Sequence, residues 1–294
     1  MGWRPGVGAQ SRNGTEGLAG FGPIGHASCK SLAGLSVLAV GKTQVSQNNV
    51  KMPGLRPQRV RGPQADQNDH PEPVVGVEYM LPFFADLVIR TDEARRAFET
   101  HPALMDAVAN GMPIERYRRF LLDLYHVVWH FNPLCAAAAS RMQDTHRDVR
   151  YHLYEHMVEE SGHEQWVEND LEAVGVSRET TRSHRPSAYA QGLIGYNYWA
   201  AERQHPCSVL GMMYTLEVIA SVYGGPFSNA IRESLLLDGD QGVSFVSSHA
   251  TMDAEHMAEL RVVLNLLTDD AAREAVVEST LFNFHHFTRI VESV

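Results

Sequence analysis

The sequence predicts an all-α protein, and three observations carry that prediction. Apolar residues recur at helical spacing beyond residue 75, the connections between these segments are short, and no run alternates apolar and polar residues as a strand does. Helices are expected at 77–100 and 101–109, the second stopped by Asn110-Gly111. Pro113 opens the next helix, which runs to about residue 142 with a kink at Pro133. Asp144 caps one long helix ending at Gly175. Beyond the loop at 177–186, helices follow at 187–203, 206–223, 226–236, 242–267 and 270–292.

Residues 1–75 hold 12 of the 23 glycines, seven of the 14 prolines and all three lysines without a sustained period, which predicts a disordered extension. A mis-assigned start is the alternative, since Met52 and Met80 lie downstream. The 219 residues at 76–294 suit one domain with a sizeable core. They contain 17 Arg, no Lys and 31 Asp and Glu, an acidic balance that argues against nucleic acid as a partner. Without lysine, Schiff-base chemistry in the domain is excluded. Cys29, Cys135 and Cys207 are odd in number and widely spaced, as in a reduced, cytoplasmic protein. No stretch is expected to span a membrane.

His249, Asp253 and His256 fall within about 60° of arc on a helix and form one stripe. Imidazole and carboxylate are ligand types for iron, manganese or zinc. Glu160 and His163 repeat the carboxylate-x-x-His spacing of Asp253 and His256. Glu217 is the only charge in an almost wholly apolar helix, where a cation or a buried hydrogen-bond partner is required to keep it ionised. Asp123, His126 and His130 share a third stripe, from which His126 is the favoured ligand and His130 the next. His156 is a reserve ligand or a donor to ligands, Glu159 lies about 100° round from Glu160, and Trp166 and Asp170 are placed to orient neighbours. His-Glu-x-x-His, Gly-x-Ser-x-Gly and Cys-x-x-Cys patterns are missing.

The order Glu160-x-x-His163, Glu217, His249-x-x-x-Asp253-x-x-His256 resembles the haem-oxygenase-like di-metal oxidases and oxygenases, the iron-containing redox enzymes related to thiaminase II and pyrroloquinoline-quinone synthase. The phrase from His156 to Trp166, followed by Asp170-Leu-Glu-Ala-Val-Gly175, is similar as well. The resemblance covers about residues 76–294. It implies a seven-helix bundle and two irons (manganese being the alternative) held by Glu160, His163, Glu217, His249, Asp253 and His256. In that family a further Glu commonly comes from the helix before Glu-x-x-His; here that stripe offers Asp123, His126 and His130 instead. The thiaminase II cysteine position holds Gly211, which argues against thiamin hydrolysis, and no proximal-histidine motif for haem stands near the domain start.

The expectation is an iron-dependent oxidoreductase that activates O2 to oxidise a small-molecule substrate, with an external electron donor. Tyr125, Trp129 and Tyr214 neighbour the ligand candidates, where packing is the ordinary role. A homodimer is compatible with the sequence. The alternatives are a metal-independent enzyme of the same fold (a cofactorless oxidase or a hydrolase), with His126, His156, Glu217 and His249 as acid–base groups, and a non-enzymatic binding protein. A ferritin-like bundle is a third, architectural alternative, against which the added His249 argues.

Overall fold

The computed structural model describes residues 81–294, apart from the side chains of residues 252–255. The expected extension at 1–75, and residues 77–80 of the first expected helix, lie outside the described residues. The helices are α1 (Phe83–Glu99), α2 (Pro102–Asn110), α3 (Ile114–Ala139), α4 (Arg147–Glu159), α5 (His163–Ala173), α6 (Arg178–Ser183), α7 (Ala188–Trp199), α8 (Val209–Ile219), α9 (Gly225–Leu235), α10 (Ser244–Leu266) and α11 (Asp270–Ser293). No strand occurs among the described residues. With α4–α5 and α8–α9 each taken as one interrupted rod, seven long rods remain, and α2 and α6 are short additions.

Among the departures from the sequence expectation, two interruptions lie beside candidate ligands. The helix expected from Asp144 to Gly175 opens with a 3-10 turn at Asp144–His146 and breaks between Glu159 and His163. Gly162 causes the break: its φ of 94° lies in the left-handed region, which costs a residue without Cβ almost nothing. Between α8 and α9 the chain widens into a π turn, Ala220–Gly224, three residues after Glu217. Pro133, in contrast, is carried inside α3 without ending it.

The core draws on every long rod. Phe98 of α1 packs edge-on to Tyr223 and Phe287 and tilted against Phe284. On α8, Gly211 lets α11 approach so closely that a Cβ there would stand 2.4 Å from the Val276 carbonyl oxygen. Asn197 and Asn283 exchange two amide hydrogen bonds, of 2.8 and 3.1 Å, and so join α7 to α11 without leaving polar groups stranded. The helical stretch Pro206–Leu235 is, by length and composition, apolar enough to cross a membrane, contrary to expectation; 67% of its most apolar window is buried within the bundle, which accounts for that composition.

Candidate metal centre

Glu160 sits at the centre of the site because α4 ends at it. It occupies the C-terminal cap of α4, and the turn through Ser161 and Gly162 places His163 at the first position of α5. The two side chains meet across that turn, with His163 Nδ1 2.7 Å from Glu160 Oε2. From α10, His249 brings Nε2 to 3.7 Å from the same oxygen. Its Nδ1 donates to the Phe245 carbonyl at 2.8 Å, which fixes the ring and turns Nε2 toward Glu160. Glu160, His163 and His249 thus form one group with ligand atoms within 4.8 Å of one another.

A second group faces the other oxygen. His156 Nε2 and His256 Nδ1 lie 4.0 and 3.9 Å from Glu160 Oε1. The same two atoms stand 3.9 and 3.4 Å from Glu217 Oε1. His156, Glu217 and His256 also bring ligand atoms within 4.8 Å of one another. Each group therefore consists of two imidazoles and one carboxylate, and Glu160 turns one oxygen to each.

The environment is dry. His156, His163, Glu217, His249 and His256 are each at most 8% exposed. Both ring nitrogens of His156 and Oε2 of Glu217 are buried without a hydrogen-bond partner, a costly state that a cation relieves. Burial pushes the His156 imidazole down to about 4, which keeps it neutral as a ligand must be. Burial also raises Glu217, against the hydrogen bond from His256. For Glu160, burial acts upward, but the hydrogen bond with His163 and the nearby His249 imidazole prevail and hold its carboxyl well below the usual carboxylate range. Trp166 stacks on His163 with ring centroids 4.1 Å apart and meets His249 edge-on. The donor set fits iron: imidazole and carboxylate, buried, in two adjacent groups.

The structure brings together Glu160, His163, Glu217, His249 and His256 of the expected ligands. Asp253 lies in α10 between His249 and His256, and its side chain is outside the described residues. His126 stands apart from both groups, in a polar cleft with Trp129, Glu164 and Arg182, its ring 6.2 Å from that of His184. The stripe it shares serves neighbouring segments instead. Asp123 accepts the Ser187 N–H at 2.7 Å, and His130 pairs with the Tyr198 hydroxyl at 3.1 Å. Toward the centre α3 presents Leu124, Val127 and Phe131. His156, the reserve ligand of the sequence reading, lies in the second group, and His126 does not. The i, i+4 spacing from His156 to Glu160 was the available signal, one that surface residues of a helix share.

Beside the two groups lies a cavity of about 130 Å³, lined almost wholly by aliphatic and aromatic side chains. Its polar edge is formed by Glu160, Glu217 and His249, and no Arg or Lys lines it.

Comparison with solved structures places this architecture. A domain of unknown function with a heme oxygenase-like fold from Shewanella denitrificans superposes with a TM-score of 0.65 at 22% identity, over 73% of this chain and 92% of that one. A TenA homologue from Pseudomonas syringae gives 0.61 at 15% identity, over 78% and 100% of the two chains. Heme oxygenase-1 from the cyanobacterium Synechocystis, solved with heme, gives 0.57 at 17% identity, over 72% and 92%. These likenesses show the haem-oxygenase-like all-α fold. No curated protein matches the chain. The sequence pattern of one family spans residues 118–282, more than half of the chain and all six residues of the two groups, and by it the protein belongs to the iron-containing redox enzymes.

Proposed function

We propose that the two groups hold two iron ions and that the protein is an O2-dependent oxidase or oxygenase acting on a small, largely apolar metabolite. The observation that carries this reading is the division of Glu160 between two groups of equal composition, one carboxylate oxygen to each. Bound ferrous iron would supply the electrons that activate O2 as the oxidant, and an external electron donor would return the iron to the ferrous state.

The chain's own residues do the rest. Glu160, His163 and His249 hold one position, His156, Glu217 and His256 the other, and Asp253 lies on the helix stripe that serves both. His249 is kept in orientation by the Phe245 carbonyl. Trp166 and Phe245 cover the rings of His163 and His249, which keeps water from the outer face of that group. The cavity beside Glu160, Glu217 and His249 offers a substrate apolar walls and no cationic anchor, so an uncharged body fits it and a remote carboxylate does not. A reducing, cytoplasmic setting suits the free Cys135 and Cys207 as well as ferrous iron.

The test is metal analysis of the full chain loaded anaerobically with ferrous iron. The expected result is about two ions per chain, both weakened in Glu160→Ala, together with O2 consumption that chelation abolishes. A folded chain that takes up no iron under these conditions overturns the reading.

A further inference from the structure

A separate cluster gathers where α4, α8 and α11 begin. His146 closes the 3-10 turn before α4, His205 and Cys207 lie in the turn leading into α8, and Asp269 caps α11. Ligand atoms of His146, His205 and Cys207 lie within 4.8 Å of one another. Cys207 is fully buried, and the two imidazoles are 13% and 19% exposed. The rings meet edge to face with centroids 5.3 Å apart.

Asp269 decides how the rings are turned. Its Oδ1 accepts the Ala271 N–H at 3.1 Å, while Oδ2 faces Nε2 of His205 at 3.5 Å and Nε2 of His146 at 3.9 Å. On the other side of the rings, His205 Nδ1 accepts the Cys207 N–H at 3.2 Å and His146 Nδ1 faces the Thr145 hydroxyl at 3.3 Å. His205 therefore carries its proton on Nε2, toward the carboxylate, and keeps the lone pair on Nδ1. A carboxylate behind the protonated nitrogen is the arrangement that orients metal-binding histidines and raises their basicity.

We propose that His146, His205 and Cys207 form an accessory site for a thiophilic divalent cation, zinc by chemical class, with Asp269 as the carboxylate that orients both imidazoles. Two nitrogens and one sulfur make a softer donor set than the nitrogen and oxygen groups around Glu160, and it selects a different ion. Water takes the fourth place. The thiol gives up its proton on binding. Without a cation that proton stays, since burial and the Asp269 charge push the Cys207 thiol up to about 12.

The location gives the site a role. His146 precedes His156 by ten residues and Cys207 precedes Glu217 by ten, about 15 Å along a helix in each case. A cation here pins the starts of α4 and α8, two of the three helices that deliver the group of His156, Glu217 and His256, together with the start of α11.

Cobalt is the probe, titrated anaerobically into the untagged full chain. Sulfur is absent from the central groups, so a near-ultraviolet sulfur-to-cobalt charge-transfer band reports this cluster alone. The band is expected in the parent chain, in Glu160→Ala, and in a Cys29→Ser/Cys135→Ser double variant. It is expected to vanish in Cys207→Ser. Asp269→Asn keeps an oxygen to cap α11 and should weaken cobalt binding by about tenfold or more. Absence of the band with cobalt in large excess, or its survival in Cys207→Ser, overturns the proposal. Should Cys207→Ser fail to fold by circular dichroism, Asp269→Asn and His146→Asn decide: unchanged affinity in both sinks it.

Discussion

One carboxylate oxygen of Asp170 accepts both the N–H and the hydroxyl of Ser244 at 2.8 Å, and the other accepts the Phe245 N–H at 2.9 Å. The start of α10 has no cap of its own, since Val243 stands at that position. A residue of α5 thus caps the helix that carries His249 and His256. Truncation by Asp170→Ala strands buried donors and should cost about 3 kcal/mol in urea unfolding. Iron retention should fall as well, although Asp170 belongs to neither ligand group. Unfolding that matches the parent chain would show that α10 holds its own start.

His156 gives the sharpest test of the ligand set. His156→Ala leaves Glu160, His163 and His249 in place and removes one of two imidazoles from the other group. Iron content should drop from about two ions per chain to about one, with the fold retained. Retention of the parent content would return His156 to a packing role.

Gly211 bears on a different chemistry. A side chain there meets the Val276 carbonyl oxygen at 2.4 Å and Ser279 Cβ at 2.8 Å. Gly211→Cys, which restores the thiaminase II cysteine of the resemblance, should cost about 3 kcal/mol by forcing α8 from α11. It should confer no thiamin hydrolysis. A stable variant would show that the helix pair has slack that the close approach of α8 and α11 denies.

Glu168 sets an acid limb. It is 2% exposed, and it accepts from Arg182 at 2.7 and 3.0 Å and from Arg178 at 2.8 Å, tying α6 to α5. The Arg182 hydrogen bond holds its carboxyl below the ordinary 4.5, against the upward push of burial. Below 4.5 the unfolded chain binds the proton more readily, so this stabilisation is full above that value and is lost as pH falls through the folded value. Glu168→Gln should therefore lower stability at neutral pH and flatten its decline in acid. Parallel pH curves for the two proteins would remove Glu168 from that limb.

Much of this was readable in the residues, for identifiable reasons. Helical period marked the rods, and the shared stripe of α10 marked His249 and His256 as neighbours of the other polar side chains. Glu217 stood out because an apolar helix leaves a lone carboxylate nothing local to pair with. The break at Gly162 was harder to read, since one glycine is tolerated inside a helix and its backbone angle depends on what it joins. That His156 lies in the second group and His126 does not has a tertiary reason. A polar stripe announces that partners exist, but the partners of α3 proved to be Ser187 and Tyr198, whereas those of His156 came from α8 and α10. The cluster around Asp269 draws on three distant segments and left no spacing to find.

Because Glu160 turns one carboxylate oxygen to each group, the two positions are not independent vessels. An ion captured beside His163 and His249 would hold the Glu160 carboxylate, whose other oxygen faces His156 and His256. The ordering of that side chain is then already done when a second ion arrives. Loading should accordingly be cooperative: during a substoichiometric titration, chains fill in pairs and the half-filled form stays scarce.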